Sequence, residues 1–193
     1  MNWLPFVLVA WVLVGVHKGA ADLFGLEFGA AEFRPDLVLP LAVFAAMVLP
    51  TPSAAWVCLG LGFVMDLLNE RPATSGDGFV VVGPHALGYL LAGLLVLQVR
   101  SMMIRRNPLT LGALSAVAAV VSGVVIVAAF TIRHAVDPRL VWSTWGEVLG
   151  RFGSAAYTGL AGLVLAWPLI RLSPLLGLNL GQRSLPRRAY ERR

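Results

Sequence analysis

Asp66 is the residue whose position most strongly suggests a chemical role, because it lies in the apolar stretch GFVMDLL, residues 62–68. A carboxylate at the centre of a lipid-facing helix costs about 3 kcal/mol on insertion scales, so it should face a bundle interior, water or a partner. One interpretation is a local cap or ion pair near Glu70 and Arg71, close to the membrane surface. The other is a buried anchor that joins two spans through His85 or a loop amide. The sequence supports both equally.

The remaining candidates for chemistry do not form a known reactive pattern. His85 opens an apolar segment, but one histidine is not a metal site, and His17 and His134 have no ligand spacing. The chain has no HExxH or GxSxG motif, and the glycine-rich stretch RPATSGDGF lacks the lysine of a phosphate loop. An intramembrane aspartyl mechanism needs two carboxylates, and Asp66 is the one carboxylate that we count inside the membrane, because Asp36, at the start of a span, is counted with the outer surface. We therefore expect no catalytic residue, cofactor or metal.

The composition indicates the environment that surrounds these residues. Of the 193 residues 58% are hydrophobic and 13% are charged, with a mean hydropathy of +0.80. Soluble domains are about 45–50% apolar and about 25% charged. This composition is typical of a polytopic membrane protein. The basic pI of 10.3 does not indicate nucleic-acid binding, because the positive charges are distributed as membrane orientation requires.

Six apolar segments approach the length of about 20 residues that a helix needs to cross a bilayer. We predict an all-α polytopic fold in one domain, residues 1–175, followed by a basic tail, residues 176–193. Pro35 is well placed to start the second helix, and Pro40 should bend its first turns. The second and third segments are short and should form a tight hairpin. The predicted spans are residues 2–21, 35–49, 52–68, 85–104, 109–132 and 152–172.

The charges of the connecting segments predict the orientation. With a cytoplasmic N-terminus, the inner segments and the adjoining span ends carry nine cations, Arg100 among them, and one acid. The outer segments and span ends carry six cations and eight acids, Asp36 among them. This is the positive-inside distribution, so both termini are predicted to be cytoplasmic. The tail should contact anionic inner-leaflet lipid or an acidic partner through its arginines. The four arginines nearest the end are Arg187, Arg188, Arg192 and Arg193.

Two further patterns concern a short connecting helix and the packing of the spans. Asp137 and Pro138 read as the start of a short helix that lies at the outer interface before the chain enters the sixth span near residue 152. Small residues four positions apart, such as Gly88 and Ala92, recur in the spans. They predict close packing inside the bundle, or docking of another protein's helix, of which we favour internal packing.

Three motifs, in this order, resemble the MreD family of rod shape-determining proteins. The first is an Arg-Pro-Asp entry to an apolar span, the second a glycine-rich span that ends in Asp-Leu-Leu, and the third a Gly-x-His-Ala-Leu start. The match covers residues 33–95, about a third of the chain. The connection between the second and third motifs and the charged tail depart from the family pattern. The residues that carry the resemblance are Arg34, Pro35, Asp36, Gly60, Gly62, Asp66, Leu67, Leu68, Gly83, His85, Ala86 and Leu87.

The resemblance implies a non-catalytic scaffold of the bacterial cell-elongation complex, in the inner membrane. Such a protein would bind the single-span protein MreC and help position peptidoglycan synthesis and so control cell shape. It would be associated with a RodA-type glycosyltransferase, a penicillin-binding protein and an MreB-type actin homologue. The fold would be similar to the substrate-binding subunits of energy-coupling-factor transporters. Gly60 and Gly62 would let another backbone approach, and Asp66 would fix the junction of spans three and four.

That fold suggests an alternative function, the capture of a small, vitamin-type solute by a transporter subunit. It requires polar groups that converge inside the bundle. Spans five and six, rich in Ala, Val and Gly, are expected to be poor in cavities, which favours the scaffold. The candidate ligand-binding residues are Asp66, His85, Tyr89, Ser122 and Tyr157.

Overall fold

The computed structural model shows a helical protein with two short β-hairpins. It describes residues 2–19, 23, 25–28, 31–72, 78–102, 107–137 and 144–177. The described helices are α1 (Trp3–Gly19), α2 (Leu39–Val48), α3 (Thr51–Leu68), α4 (Pro84–Val99), α5 (Pro108–Val136) and α6 (Thr144–Leu172).

Two antiparallel hairpins lie in connections that the sequence analysis left without regular structure. Strand β1 (Leu26–Phe28) pairs with β2 (Ala31–Phe33), between α1 and α2. Strand β3 (Glu70–Pro72) pairs with β4 (Gly78–Val80), between α3 and α4. The second hairpin includes both ends of the glycine-rich stretch RPATSGDGF.

The helices are compatible with a membrane protein, as the composition predicts. Three of them are long and apolar enough to cross a bilayer, namely α3, α5 and the part of α6 from Gly146 to Leu172. The shorter helices α1, α2 and α4 are also apolar.

Helix α2 is the centre of the core rather than a lipid-facing span. All its residues from Leu39 to Met47 are buried, and α3, α4, α5 and α6 all pack against it. Ten residues at 1.5 Å each make it about 15 Å long, about half the thickness of the hydrocarbon layer.

The prediction that this helix begins at Pro35 and bends at Pro40 is wrong. The helix begins at Leu39. A proline lacks the N–H that a helix interior needs, but in the first turn that group has no intrahelical partner. Beginning at Leu39 places Pro40 in the first turn, where the missing N–H costs nothing.

Residues 34–38 precede α2 as a non-helical segment inside the bundle. Backbone N–H groups outside a helix need other partners, and here side chains of α6 provide them. The N–H of Arg34 donates to Ser154 Oγ at 3.1 Å, and the N–H of Asp36 donates to Thr158 Oγ1 at 2.9 Å.

The two ends of the described chain lie at the same end of the bundle. The backbone N–H of Asn2 donates to the carbonyl of Leu176 at 3.0 Å, and the Asn2 side-chain amide donates to the carbonyl of Leu175 at 3.2 Å.

The helix expected at the outer interface is not separate from the sixth span. From Thr144 onward its residues belong to α6, which runs without interruption to Leu172, while residues 138–143 lie outside the described residues. Glu147 and Arg151 form an ion pair four positions apart, which supports a continuous helix at this point. Helix α5 extends to Val136, four residues beyond the predicted end.

Small residues pack the helices against one another inside the chain, as we favoured. A Cβ on Gly88 of α4 would lie 2.7 Å from Ser122 Oγ of α5. Where α5 meets α6, a Cβ on Gly162 would lie 2.7 Å from Ser115 Oγ, and a Cβ on Gly112 would lie 3.0 Å from the carbonyl oxygen of Gly159. Larger side chains at these positions would force the helices apart.

Candidate functional site

Asp66 holds the beginning of α4. Its Oδ2 accepts hydrogen bonds from the backbone N–H groups of Gly83 at 2.8 Å and Ala86 at 3.0 Å. Its Oδ1 accepts from the backbone N–H of His85 at 2.9 Å and contacts His85 Nδ1 at 2.9 Å. The first N–H groups of a helix have no intrahelical partner, and a carboxylate there also interacts favourably with the helix dipole. Asp66, 1% exposed, is thus an N-cap supplied by a different helix.

This geometry agrees with the second interpretation of Asp66, the buried anchor between spans three and four. The partners are both of those considered, His85 and a loop amide, that of Gly83. Glu70, which the first interpretation placed beside Asp66, has an exposed side chain.

The glycines of the second and third motifs have different surroundings. A Cβ on Gly62, one turn before Asp66, would overlap the carbonyl oxygen of His85 and lie 2.7 Å from the Cα of Ala86. Gly83 has a φ of +124°, which a side chain would strain. A Cβ on Gly60 would meet nothing within 4 Å among the described residues. The expected backbone approach therefore occurs within the chain at Gly62 and not at Gly60.

Asp36 performs the same task at the beginning of α2. Its Oδ1 accepts hydrogen bonds from the N–H groups of Val38 at 2.9 Å and Leu39 at 3.0 Å. Its Oδ2 accepts from the hydroxyl of Tyr89, a fully buried residue of α4. The preceding Pro35 is buried. The bundle interior therefore contains a second carboxylate, which the sequence count had assigned to the outer surface.

Arg100 holds the other end of α2. Its Nη1 donates to the carbonyl oxygen of Ala46 at 3.1 Å and to that of Leu49 at 2.5 Å. A cation is favourable at a helix C-terminus, as an anion is at the N-terminus. The sequence analysis counted Arg100 only as an inner-surface charge. Its position at the end of an apolar span was the available signal, but the helix that it caps could not be read from the chain.

A polar cavity of about 630 Å³ lies beside the two caps. All six helices and the segment 34–38 contribute to its wall, together with Asn69 and Glu70 that follow α3. Its cations are Lys18, Arg34 and Arg151. The other polar side chains in its wall are His17, Asp36, Asn69, Glu70, His85, Ser122, Glu147, Ser154 and Thr158.

The expectation that spans five and six are poor in cavities is therefore wrong. The small residues Ala119, Ser122 and Gly123 of α5 line the cavity opposite Gly146 and Gly150 of α6. The composition that was taken to mean close packing leaves space where small residues of both helices face one another.

Two polar contacts in the wall of the cavity connect α1 to the junction of α3 and α4. Lys18 Nζ donates to Asn69 Oδ1 at 2.8 Å, and Asn69 Nδ2 lies 3.4 Å from His85 Nε2. Of the candidate solute-binding residues, His85 and Ser122 line the cavity, whereas Asp66, Tyr89 and Tyr157 are not in its wall.

The remaining expectations concern the basic tail and metal binding. Arg187, Arg188, Arg192 and Arg193 lie outside the described residues. Within the residues that are described, no group of three or more His, Cys, Asp or Glu side chains could hold a metal ion.

The fold is compatible with a helical membrane protein, and buried or half-buried charged side chains hold the ends of its helices. No family model matches the chain, and neither a curated protein nor a solved structure matches it. A more particular assignment rests on the motif residues and their geometry.

Proposed function

We propose that this protein is a non-catalytic scaffold of the bacterial cell-elongation complex, similar to MreD. It crosses the inner membrane six times, with both termini in the cytoplasm and a fold similar to the substrate-binding subunits of energy-coupling-factor transporters. It binds an MreC-like single-span protein, and is associated through it with a RodA-type glycosyltransferase, a penicillin-binding protein and an MreB-type actin homologue.

The observation that carries the proposal is the way in which the motif residues act together. Asp36 and Asp66 each cap a helix N-terminus. Gly83 and His85 contact the Asp66 carboxylate, and Gly62 lets the backbone of His85 approach α3. Both carboxylates accept two or more hydrogen bonds, which fixes them in place rather than leaving them poised for proton transfer. A rigid bundle suits a protein whose function is to present a binding surface to a partner protein.

Gly60 is the candidate contact for the partner helix. It is exposed on α3, with open space where its side chain would be. A glycine on a lipid-facing surface lets another transmembrane helix approach closely, and close packing is the main attraction between helices in lipid. Trp56, on the same helix and 72% exposed, adds apolar area near this position.

Co-purification with the MreC-like protein of the same bacterium tests the proposal. The tagged chain, co-expressed with that protein and extracted in mild detergent, is expected to retain it. Gly60→Leu should reduce the retained partner by at least tenfold, whereas Gly15→Leu should not. Gly15 is the matched control, because it is exposed and equally unobstructed on α1. A wild-type chain that is recovered free of the partner would refute the proposal.

The basic tail is the second proposed contact. Arg187, Arg188, Arg192 and Arg193 would lie on the anionic inner leaflet, where each cation near the surface contributes about 1 kcal/mol. An acidic segment of a cytoplasmic partner would satisfy the same charges.

The polar cavity favours one other function, the capture of a small solute. Its volume of about 630 Å³ is within the range of about 300–1,000 Å³ that ligand sites occupy. His85 and Ser122 would contact the solute. Saturable, high-affinity binding of a vitamin by the purified chain would support this function, and a scaffold should show none.

A further inference from the structure

A second cavity, of about 270 Å³, adjoins the polar one and has the opposite character. It lies between α5 and α6 and is almost entirely apolar. Three residues, Ala119, Gly123 and Arg151, belong to the walls of both cavities. The other residues in its wall are Val120, Val124, Val127, Ala128, Val148 and Phe152.

From this arrangement we infer that the protein holds one anionic phospholipid, its phosphate headgroup in the polar cavity and an acyl chain in the apolar one. This site is independent of the proposed scaffold function. An amphiphile has one polar and one apolar end, which is how the two adjoining cavities differ. Basic pockets between transmembrane helices are known sites for lipid headgroups.

Arg151 marks the boundary between the two cavities. Its aliphatic chain lies against Gly123, with Cβ and Cδ at 3.5 and 3.6 Å from the position of a Cβ there. It is the eighth residue of α6, about 10 Å along the helix axis from Thr144. Long cationic side chains near the ends of membrane helices extend to the headgroups of a bilayer.

The polar cavity can bind a phosphate because two of the acids in its wall already have partners. The carboxylate of Asp36 is occupied by the beginning of α2 and by Tyr89. Glu147 pairs with Arg151, but at 3.4 Å from Nε to Oε2, longer than the ~2.7–2.9 Å of strong charge-assisted bonds. With Glu147 counted against Arg151, the cations Lys18 and Arg34 outnumber the remaining acid, Glu70, by one. A phosphate diester would bind among these cations.

The apolar cavity is open to the bilayer, so an acyl chain can enter from the side. Val124 is 56% exposed and Phe152 is 53% exposed. Both residues also line the cavity, which places its opening on the lipid-facing surface of α5 and α6. A polar, water-soluble ligand has no apolar chain that could occupy this second cavity.

Native mass spectrometry of the purified chain tests the inference. The chain is exchanged into detergent with equal amounts of phosphatidylglycerol and phosphatidylcholine, and the retained lipid is counted. One phosphatidylglycerol per chain is expected, preferred over phosphatidylcholine by at least tenfold. Arg151→Gln should reduce this preference about tenfold, the loss of one charge-assisted hydrogen bond, while Arg151→Lys should keep most of it.

Two tryptophan variants test the apolar cavity separately. Val124→Trp should fill it and release the lipid, whereas Val117→Trp should not. Val117 is the matched control, since it is a valine on the same helix face, 47% exposed and outside both cavities. Equal retention of the two lipids by the wild-type chain, or equal retention of phosphatidylglycerol by the two variants, would overturn the inference. So would full displacement by excess inorganic phosphate, because it would show a site for a free anion.

Discussion

Replacing Asp66 with asparagine should destabilise the protein severely, although the two side chains have nearly the same shape. The carboxylate accepts from three backbone N–H groups and contacts the ring nitrogen of His85, all within 3.0 Å. An asparagine offers one oxygen, and its NH₂ group would point at groups that are themselves donors. At least two buried donors would therefore lose their acceptor.

The expected magnitude follows from those lost bonds. A buried donor without an acceptor costs about 1–3 kcal/mol, so two of them cost about 2–6 kcal/mol. The loss of charge at the beginning of α4 adds to this. Because whole proteins are stable by only about 5–15 kcal/mol, this substitution should remove a large part of the total stability.

The assay is the free energy of unfolding in mild detergent, followed as loss of helical circular dichroism while SDS is added. Glu70→Gln is the control, since this carboxylate lies four residues further along the chain and is exposed. It should change the free energy of unfolding by no more than about 0.5 kcal/mol. If Asp66→Asn proved as stable as Glu70→Gln, the role given to Asp66 would be refuted.

Three further substitutions are expected to give defined results in the same assay. Tyr89→Phe should cost about 1.5–3 kcal/mol, since a hydrogen bond to the Asp36 carboxylate is lost; no measurable change would exclude that bond. Arg100→Met should cost about 1–3 kcal/mol, because two carbonyl groups of α2 lose their donor; a stable variant would show that this end needs no cap. Gly62→Ala should cost at least about 1–3 kcal/mol through overpacking, whereas Gly60→Ala should be neutral or stabilising by up to about 1 kcal/mol, and equal costs would contradict the close contact.

The helices could be predicted because lipid imposes a simple length and composition rule on them. The bounds of α3 were predicted to within one residue, since Pro50 and Pro52 begin it and the polar stretch from Asn69 ends it. Apolar length could not distinguish a lipid-facing span from a buried half-length helix, so the beginning of α2 was misplaced by four residues. The position of Pro40 in a first turn was the signal that was not used.

The candidate site could be predicted only in part, for a related reason. A carboxylate in an apolar run identifies Asp66 because its cost in lipid demands a partner. The same reasoning missed Asp36, which was counted as an outer charge, and Arg100, which was counted as an inner one. Asp36 caps α2 locally, and this was missed because the helix was predicted to begin at Pro35, before Asp36. Arg100 contacts a helix end that is distant in the chain, and such pairing does not show in a single sequence. The cavity was missed because small residues are compatible both with close packing and with empty space.

The measurement that tests the proposed function most directly is quantitative mass spectrometry of the tagged protein purified from its own membranes. The account predicts that the MreC-like protein is enriched with the wild-type chain to near-equal amounts, and that Gly60→Leu loses it while Gly15→Leu keeps it. Recovery of the folded wild-type chain with no single-span partner would contradict the account.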